Sequence, residues 1–546
     1  MLAGSAVSGI LGVTGLSAQI ASAPKAATSN IKVSISLNGA TYTYPDGPKI
    51  PHYYVGFRAD GRLVFHLGAL GNLSAPASTI EPYKLGPHHV RIEENGKILL
   101  EADVPAHWWN AVWTYRPAPI AVRKTPAQIV AANRMFPFGD TGCKLTAQSK
   151  RSPYTVMGSS SITVNMPQTG ERPDIGLITD NSAYYMLGGD PLPMIDCALS
   201  AESCPMHFRE ETIGKPIDLI KYPAANSYSG PQQGRPWLLR GPMVKDRAGN
   251  PWPEFGGGWA PQQAHYCEMS YMAHVATLDP GFLEDLQYSA NFTVLCDGYL
   301  SNVRRIATIF GEVRGIGWAL RNLFMAHAAT RDAEARGDLP ATCHPSSYFK
   351  KLLDQSLIYY TANVGAQVQK DFHIWLPASD KYSPWMEEYL NTALAFGILT
   401  GNSDWLPLYL FSLGNMIART NGTSGWPPSL CTPYRIPTAD PVSKTPLRTW
   451  RQAFDALMTE PEARLSSDAH DRILANPLNG GRLAPEEPYG YHFTTRAVLV
   501  MAAHLESKGL ANIRAVYPDL DTCIGNVTRM ARNFGSINPR VAVVTS

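Results

Sequence analysis

Residues 310–327, FGEVRGIGWALRNLFMAH, decide how the rest of the chain is read. Val313, Ile316, Leu320, Leu323 and Phe324 recur at helical spacing and form an apolar stripe that a helix buries against its neighbours. Arg314, Trp318 and Arg321 follow at i, i+4 and i+7 on another side, with Glu312 and Asn322 close by. Gly311 and Gly315 fall four apart, which leaves room for a second backbone or a ligand. Two guanidiniums flanking an indole suit a sugar carboxylate and a sugar face, because Arg offers a planar fork and Trp a flat apolar surface. The same set would equally serve as an Arg/Glu network tying helices together.

Working outward, the text C-terminal to Tyr184 is helical and repeats a plan. YYMLGGDPLPMIDCALSA, HVATLDPGFLEDLQYSANF and FGILTGNSDWLPLYLFSLGNM each read as a helix, a turn carrying Gly or Leu, and a new helix opened by Asp or Asn-Ser-Asp. Helices are predicted near 180–200, 262–278, 281–296, 311–330, 346–366, 384–400, 403–420, 448–459, 490–507 and 509–533. Helical hairpins at irregular intervals, with long Gly/Pro-rich loops between them, favour a closed toroid over a uniform solenoid. Upstream, the period is two. IKVSISL and ATYTY alternate, HYYVGFRADGRLVFHLG is two strands around Ala-Asp-Gly, and HHVRIEENGKILLEADV is a hairpin around Asn95-Gly96. SSSITVNM reads as one further strand.

The expected fold class is therefore α+β multidomain: an N-terminal antiparallel β barrel or sandwich, then an (α/α) toroid of five or six helical hairpins. The expected divisions are an apolar low-complexity arm or leader at 1–30, a β-rich domain at 31–125, a transitional segment at 126–180, the toroid at 181–533 and a tail at 534–546. An Ala-Ser-Ala step at 21–23 resembles a signal-peptidase site without its basic n-region. Read as mature sequence, the arm would be ordered by packing in an assembly, a route to self-association through residues 1–30.

Forty-seven basic against 45 acidic side chains leave a formal charge of +2, so no net field draws the chain to nucleic acid or an anionic membrane. Outside the leader no run of about twenty apolar residues occurs, so no transmembrane helix is expected. Twelve Trp and 25 Tyr in a chain only 17% charged lean towards carbohydrate. The eight cysteines show no metal-ligand spacing; Cys197/Cys204 and Cys267/Cys296 are disulfide candidates, with buried thiols the alternative. No phosphate loop, dinucleotide fingerprint, nucleophile elbow or His-Glu-x-x-His zinc motif occurs, and no cofactor is implied.

What remains are polar clusters where the chain enters helices. Arg172 and Asp174 occupy the GERPDIG turn, and His207 and Arg209 follow the first hairpin. GGGWAPQQAHYCE leads from a Gly-rich loop through Trp259 to Gln262, His265, Tyr266 and Glu268. Trp385 and Glu387 open the helix after Pro384, and EEPYGYHFTTR presents Tyr489, Tyr491 and His492 before another. In a toroid, alternate helix starts gather at one end of a central funnel. Two chemistries then fit. In β-elimination on a uronic-acid glycan, Arg314 or Arg321 would neutralise the carboxylate, a His or Tyr (His265, Tyr491 or His492) would remove the C5 proton, and another would protonate the leaving oxygen. Trp259, Gln262, Trp318, Asn322, Arg172, His207, Trp385 and Tyr489 would bind the substrate. In hydrolysis, two carboxylates among Asp174, Glu268, Glu312 and Glu387 would flank the bond. Elimination is preferred, because the helix entries combine His, Tyr and Arg more consistently than Asp/Glu pairs. A non-enzymatic carbohydrate-binding or structural component of a virion or surface assembly is the third reading, and an extracellular, cell-surface or virion location accompanies all three.

The order of parts, together with Arg-Gly-x-Gly-Trp-Ala-Leu-Arg at 314–321 and the GERPDIG turn, resembles bacterial proteins carrying a RIFT-barrel domain. These look like relatives of exo-acting rhamnogalacturonan lyases, which have an (α/α)-toroid catalytic domain. The resemblance covers roughly residues 31–530 in architecture and implies a polysaccharide lyase. It carries no catalytic residue over by position, and a separate C-terminal β-domain, frequent in toroid lyases, has no counterpart after Asn533.

Overall fold

The computed structural model describes residues 30–68, 85–141, 144–145, 151–166, 172–209, 214–221, 258–259, 261–295, 313–364, 372–375, 381–431, 436–459, 490–533, 536–537 and 539–544. It opens with seven strands: β1 (Ile31–Leu37), β2 (Ala40–Tyr44), β3 (Tyr53–Phe57), β4 (Leu63–Leu67), β5 (His88–Glu94), β6 (Lys97–Val104) and β7 (Ala111–Tyr115). They form two antiparallel sheets, ordered β2-β1-β5-β6 and β3-β4-β7. The period-two alternation explains the core face: Val33 pairs with Ile92 and Ile35 with Val90, and all four are buried. Phe65 and Trp113, opposite each other in register, stack with ring centroids 3.9 Å apart. At the predicted Asn95-Gly96 turn both residues have positive φ (51° and 81°), the backbone that twists a hairpin correctly and that Asn and Gly tolerate.

After α1 (Pro126–Ala131), started by a Thr125/Gln128 capping box, and the short β8 (Lys144–Leu145), the chain becomes helical. SSSITVNM is not a strand; residues 159–166 run through turns and bends, with one isolated bridge residue. The helix expected at 180–200 is two, α2 (Asp180–Met186) and α3 (Leu192–Ser203), parted where Gly188 takes φ +88°. The one expected at 262–278 is a single 3-10 turn, Gln263–His265, followed by α4 (Tyr271–Thr277). Then come α5 (Pro280–Leu295), α6 (Val313–Arg336), α7 (Ser346–Val364), β9 (Lys381–Tyr382), α8 (Pro384–Leu399), α9 (Leu406–Thr420), β10 (Ile436–Pro437) and α10 (Trp450–Thr459). The last elements are α11 (Gly490–Ser507), α12 (Ile513–Val516), α13 (Leu520–Asn533) and β11 (Ser536–Ile537). The three repeated segments do break as read, at Gly188, Leu278 and Gly401, each with positive φ.

Two helix pairs pack side by side and run in the same direction. A methyl on Gly317 would meet Leu390 Cα at 2.9 Å, and one on Gly397 would meet the Phe324 ring at 2.7 Å. Both crossings have the same sequence offset, so α6 and α8 run parallel and in close contact. The close approach described here is at Gly317; of the Gly311/Gly315 pair singled out by spacing, Gly311 lies outside the described residues. Helices α9 and α13 are likewise parallel: Tyr517, just before α13, donates Oη–H to Leu410 O (2.7 Å), and Asn526 Nδ2 donates to Thr420 O (2.8 Å). Thr495 on α11 donates to Glu388 on α8 at 2.5 Å. None of the helices is long and apolar enough to cross a membrane among the described residues.

Two devices join the parts. The three-stranded sheet sits on α3 and α5 through Trp108 Nε1 to Ser203 O (2.7 Å) and the Arg58 and Arg62 guanidiniums on Glu284 (3.2 and 3.0 Å). Residues 539–544 thread between the segment before α2, α2 itself and α11: Arg540 N donates to Asp180 Oδ1 (3.2 Å), Arg540 Nη1 to Arg172 O (2.6 Å), and Arg496 Nη1 to Val543 O (2.9 Å). Residues 540–543, within the segment read as a tail, are buried. Cys197, Cys204 and Cys267 are buried free thiols, so Cys197/Cys204 and Cys267/Cys296 are not disulfides.

Candidate functional site

The first turn of α6 and the loop before α4 meet. Arg314 Nη2 lies 2.9 Å from His265 Nε2, and the guanidinium covers the Trp385 ring at 4.9 Å. Arginine has only donors, so His265 Nε2 accepts, and the imidazole Nδ1–H must then donate to the Gln262 side-chain Oε1 it contacts. Gln262 and His265 thus act together as the sequence spacing suggested, but across a 3-10 turn rather than along a helix face. Arg172 completes the support by donating to the His265 carbonyl at 3.1 Å. Arg172 is itself fixed by Asp174 (2.9 Å) and by the Met166 carbonyl (2.6 Å).

Burial, with Arg314 and Arg172 beside it, pulls His265 down to about 3. At neutral pH the ring is uncharged, in a defined tautomer. His265 and Gln262 are only half-buried, whereas Arg314, Arg172 and Trp385 are almost wholly covered. A neutral imidazole therefore forms the outer edge of a cationic, aromatic-backed cluster. It can accept a proton, and the adjacent fork can hold a carboxylate.

Other predicted residues have different employment. Arg321 is fully buried; it donates to Tyr266 O (3.0 Å) and Asn322 Oδ1 (3.1 Å) and also reaches Gly176 O. Its guanidinium covers Trp318 at 4.5 Å, and burial pulls it down to about 10. Arg321, Trp318 and Asn322 are thus scaffold behind the cluster: full burial removes them from any surface a sugar could touch. Trp259 is 2% exposed and offers no stacking face. His207 belongs elsewhere: it packs between the three-stranded sheet and α5, with Nε2 3.0 Å from Asp285 and Nδ1 against the Cys204 and Asn110 carbonyls. Tyr489 lies outside the described residues. Tyr491 and His492 occupy the first turn of α11, but their side chains, like Glu312, lie outside them too.

The carboxylates considered for hydrolysis are committed locally. Asp174 receives Arg172 and the Thr163 amide (2.7 Å). Glu268 caps α4 through the Tyr271 amide (2.5 Å), and burial pushes it up to about 7. Glu387 holds the Trp375 amide (2.9 Å), and burial pushes it up to about 8. The sequence reading named Trp385 as a substrate binder but set Arg314 beside Trp318, and it missed Arg540 altogether. Trp385, not Trp318, is the ring under Arg314, and Arg540 secures the Arg172 carbonyl. An arginine inside the otherwise apolar PRVAVV was the available signal for Arg540.

Compared with family models, curated proteins and solved structures, the chain finds no match in any of the three.

Proposed function

We propose that the chain is a glycan-acting enzyme, a lyase that cleaves a uronic-acid-containing polysaccharide by β-elimination. The observation that carries this reading is the 2.9 Å pairing of a neutral His265 with Arg314 at a half-buried edge. A substrate carboxylate would take the Arg314 fork, and the His265 Nε2 lone pair, released from Arg314, would take the C5 proton. The C5–H electrons form the C4=C5 bond while the C4–O bond breaks, and the leaving oxygen takes a proton. Tyr491 or His492, at the start of α11, is the proposed donor. Local commitment of Asp174, Glu268 and Glu387 favours elimination over hydrolysis.

The proposed frame is a closed (α/α) toroid in which α4, α6, α8 and α11 form the inner layer and α7, α9 and α13 the outer. The parallel pairs α6/α8 and α9/α13, and the bridge from residues 539–544 to both α2 and α11, support closure. Such a substrate places the protein outside the cell or at a surface.

The test is absorbance at about 235 nm, where the conjugated product absorbs, across a panel of uronic-acid polysaccharides; the base alone should supply roughly 10²–10⁴-fold. Signal lost in both Arg314→Ala and His265→Ala supports the proposal. New reducing ends without absorbance would replace it with hydrolysis, and neither signal would replace it with a binding role.

A further inference from the structure

Two consecutive carbonyls tie down the backbone that carries the His265 imidazole. His265 O accepts from Arg172 Nη2 (3.1 Å), and Tyr266 O accepts from Arg321 Nη2 (3.0 Å). Both arginines lead to the GERPDIG turn: Arg172 belongs to it, and Arg321 also donates to Gly176 O at its end. The other end of the turn is held from far along the chain. Arg540, 5% exposed, donates Nη1 to the Arg172 carbonyl at 2.6 Å. Asp180, in the first turn of α2, orients that arginine by accepting its backbone amide (3.2 Å) and standing 3.8 Å from Nη1. Gly176 leaves room for the arginine stem, since a methyl there would lie 3.0 Å from Arg540 Cδ.

The turn is therefore pinned at Arg172 by one arginine and at Gly176 by another. Without the Arg540 donor, the Arg172 peptide is free to pivot about the Gly176 anchor, and the Arg172 guanidinium moves with it. The His265 carbonyl follows, while Arg314 stays on α6. The 2.9 Å contact between Arg314 and His265 Nε2 is sensitive to such a shift, because hydrogen bonds weaken steeply as they bend. We propose that Arg540 is a positioning residue: acting through Arg172, it holds the His265 imidazole at its angle to Arg314. Its catalytic consequence rests on His265 being the base, as proposed above.

Diethyl pyrocarbonate acylates a neutral imidazole nitrogen whose lone pair is free. The rate at which it modifies His265 in the full chain, read by peptide mass spectrometry, therefore reports how firmly Arg314 holds Nε2. Arg540→Met keeps the stem over Gly176 and deletes the donor. It should raise the His265 rate roughly three- to tenfold, the worth of one hydrogen bond, and leave the fully buried His107 and His207 as they are in the parent chain. Arg540→Lys keeps a cationic donor near the Arg172 carbonyl and should restore most of the parent rate. On any polysaccharide that yields product, Arg540→Met should lower kcat roughly tenfold or more with KM little changed, because the Arg314 fork remains. An unchanged His265 rate, or equal rises at His107 and His207, would overturn the inference. A selective rise at His265 with no product from any variant or from the parent chain would support the positioning role and overturn the lyase reading instead.

Discussion

Arg314 and Arg321 stand two turns apart on α6, each with its guanidinium over an indole, yet they belong to different kinds of region. Arg321 is enclosed: backbone carbonyls and an amide oxygen take its donors, and Glu268 lies near enough to offset part of its burial. Arg314 touches a half-buried imidazole that can exchange its partner. Side-chain type and helical position are shared, so what separates scaffold from site is whether the acceptor is fixed backbone or a side chain at an open edge.

The largest expected effect tests the scaffold half. Arg321→Ala leaves the Gly176 and Tyr266 carbonyls without their donor and a buried cation missing beside Glu268, and should destabilise the fold by about 3 kcal/mol or more in denaturant unfolding. Arg314→Ala should cost about 1–2 kcal/mol in the same measurement while abolishing any product absorbance. Equal stability losses would erase the distinction. Gly317→Ala comes next: its methyl would press on Leu390 backbone and should cost about 1–3 kcal/mol. Gly525→Ala on α13, where nothing stands within 4 Å, should be neutral or stabilising by up to about 1 kcal/mol.

A further test is pH dependence. Folding holds His265 near 3 against an ordinary value of 6.5, so between those values the unfolded chain binds the proton more readily. Stability therefore falls as pH drops through this window, and His265→Gln should flatten that part of the curve. The same depression predicts that any activity persists on the acid side well below the usual histidine range. An acid limb centred near 6.5 in kcat/KM would remove His265 as the base.

Much of the frame was legible in the text. β1 to β6 follow from strict alternation and two turn signatures, which are local signals. The helix breaks at Gly188, Leu278 and Gly401 were equally local. The pairing of His265 with Gln262 was visible as a polar entry from a glycine loop. The roles of Arg321, Trp318 and His207 were not, because periodicity reports the side of a helix and not which carbonyl or strand covers it. SSSITVNM has strand-like composition, yet Ser161 Oγ meets Cys197 on α3 and the Thr163 amide donates to the Asp174 carboxylate, side-chain partners in place of a neighbouring strand.

The packing of residues 539–544 against Arg172, α2 and α11 bears on the order of folding. Arg540 reaches Arg172 across a sequence separation of 368 residues, and Arg172 in turn holds the His265 carbonyl. During synthesis the two ends of this chain of contacts are made at widely separated times. The His265 edge thus gains its last support only once residues 539–544 have left the ribosome and crossed that distance. Its maturation is therefore a late, long-range step, distinct in time from the early closing of the β1–β6 hairpins.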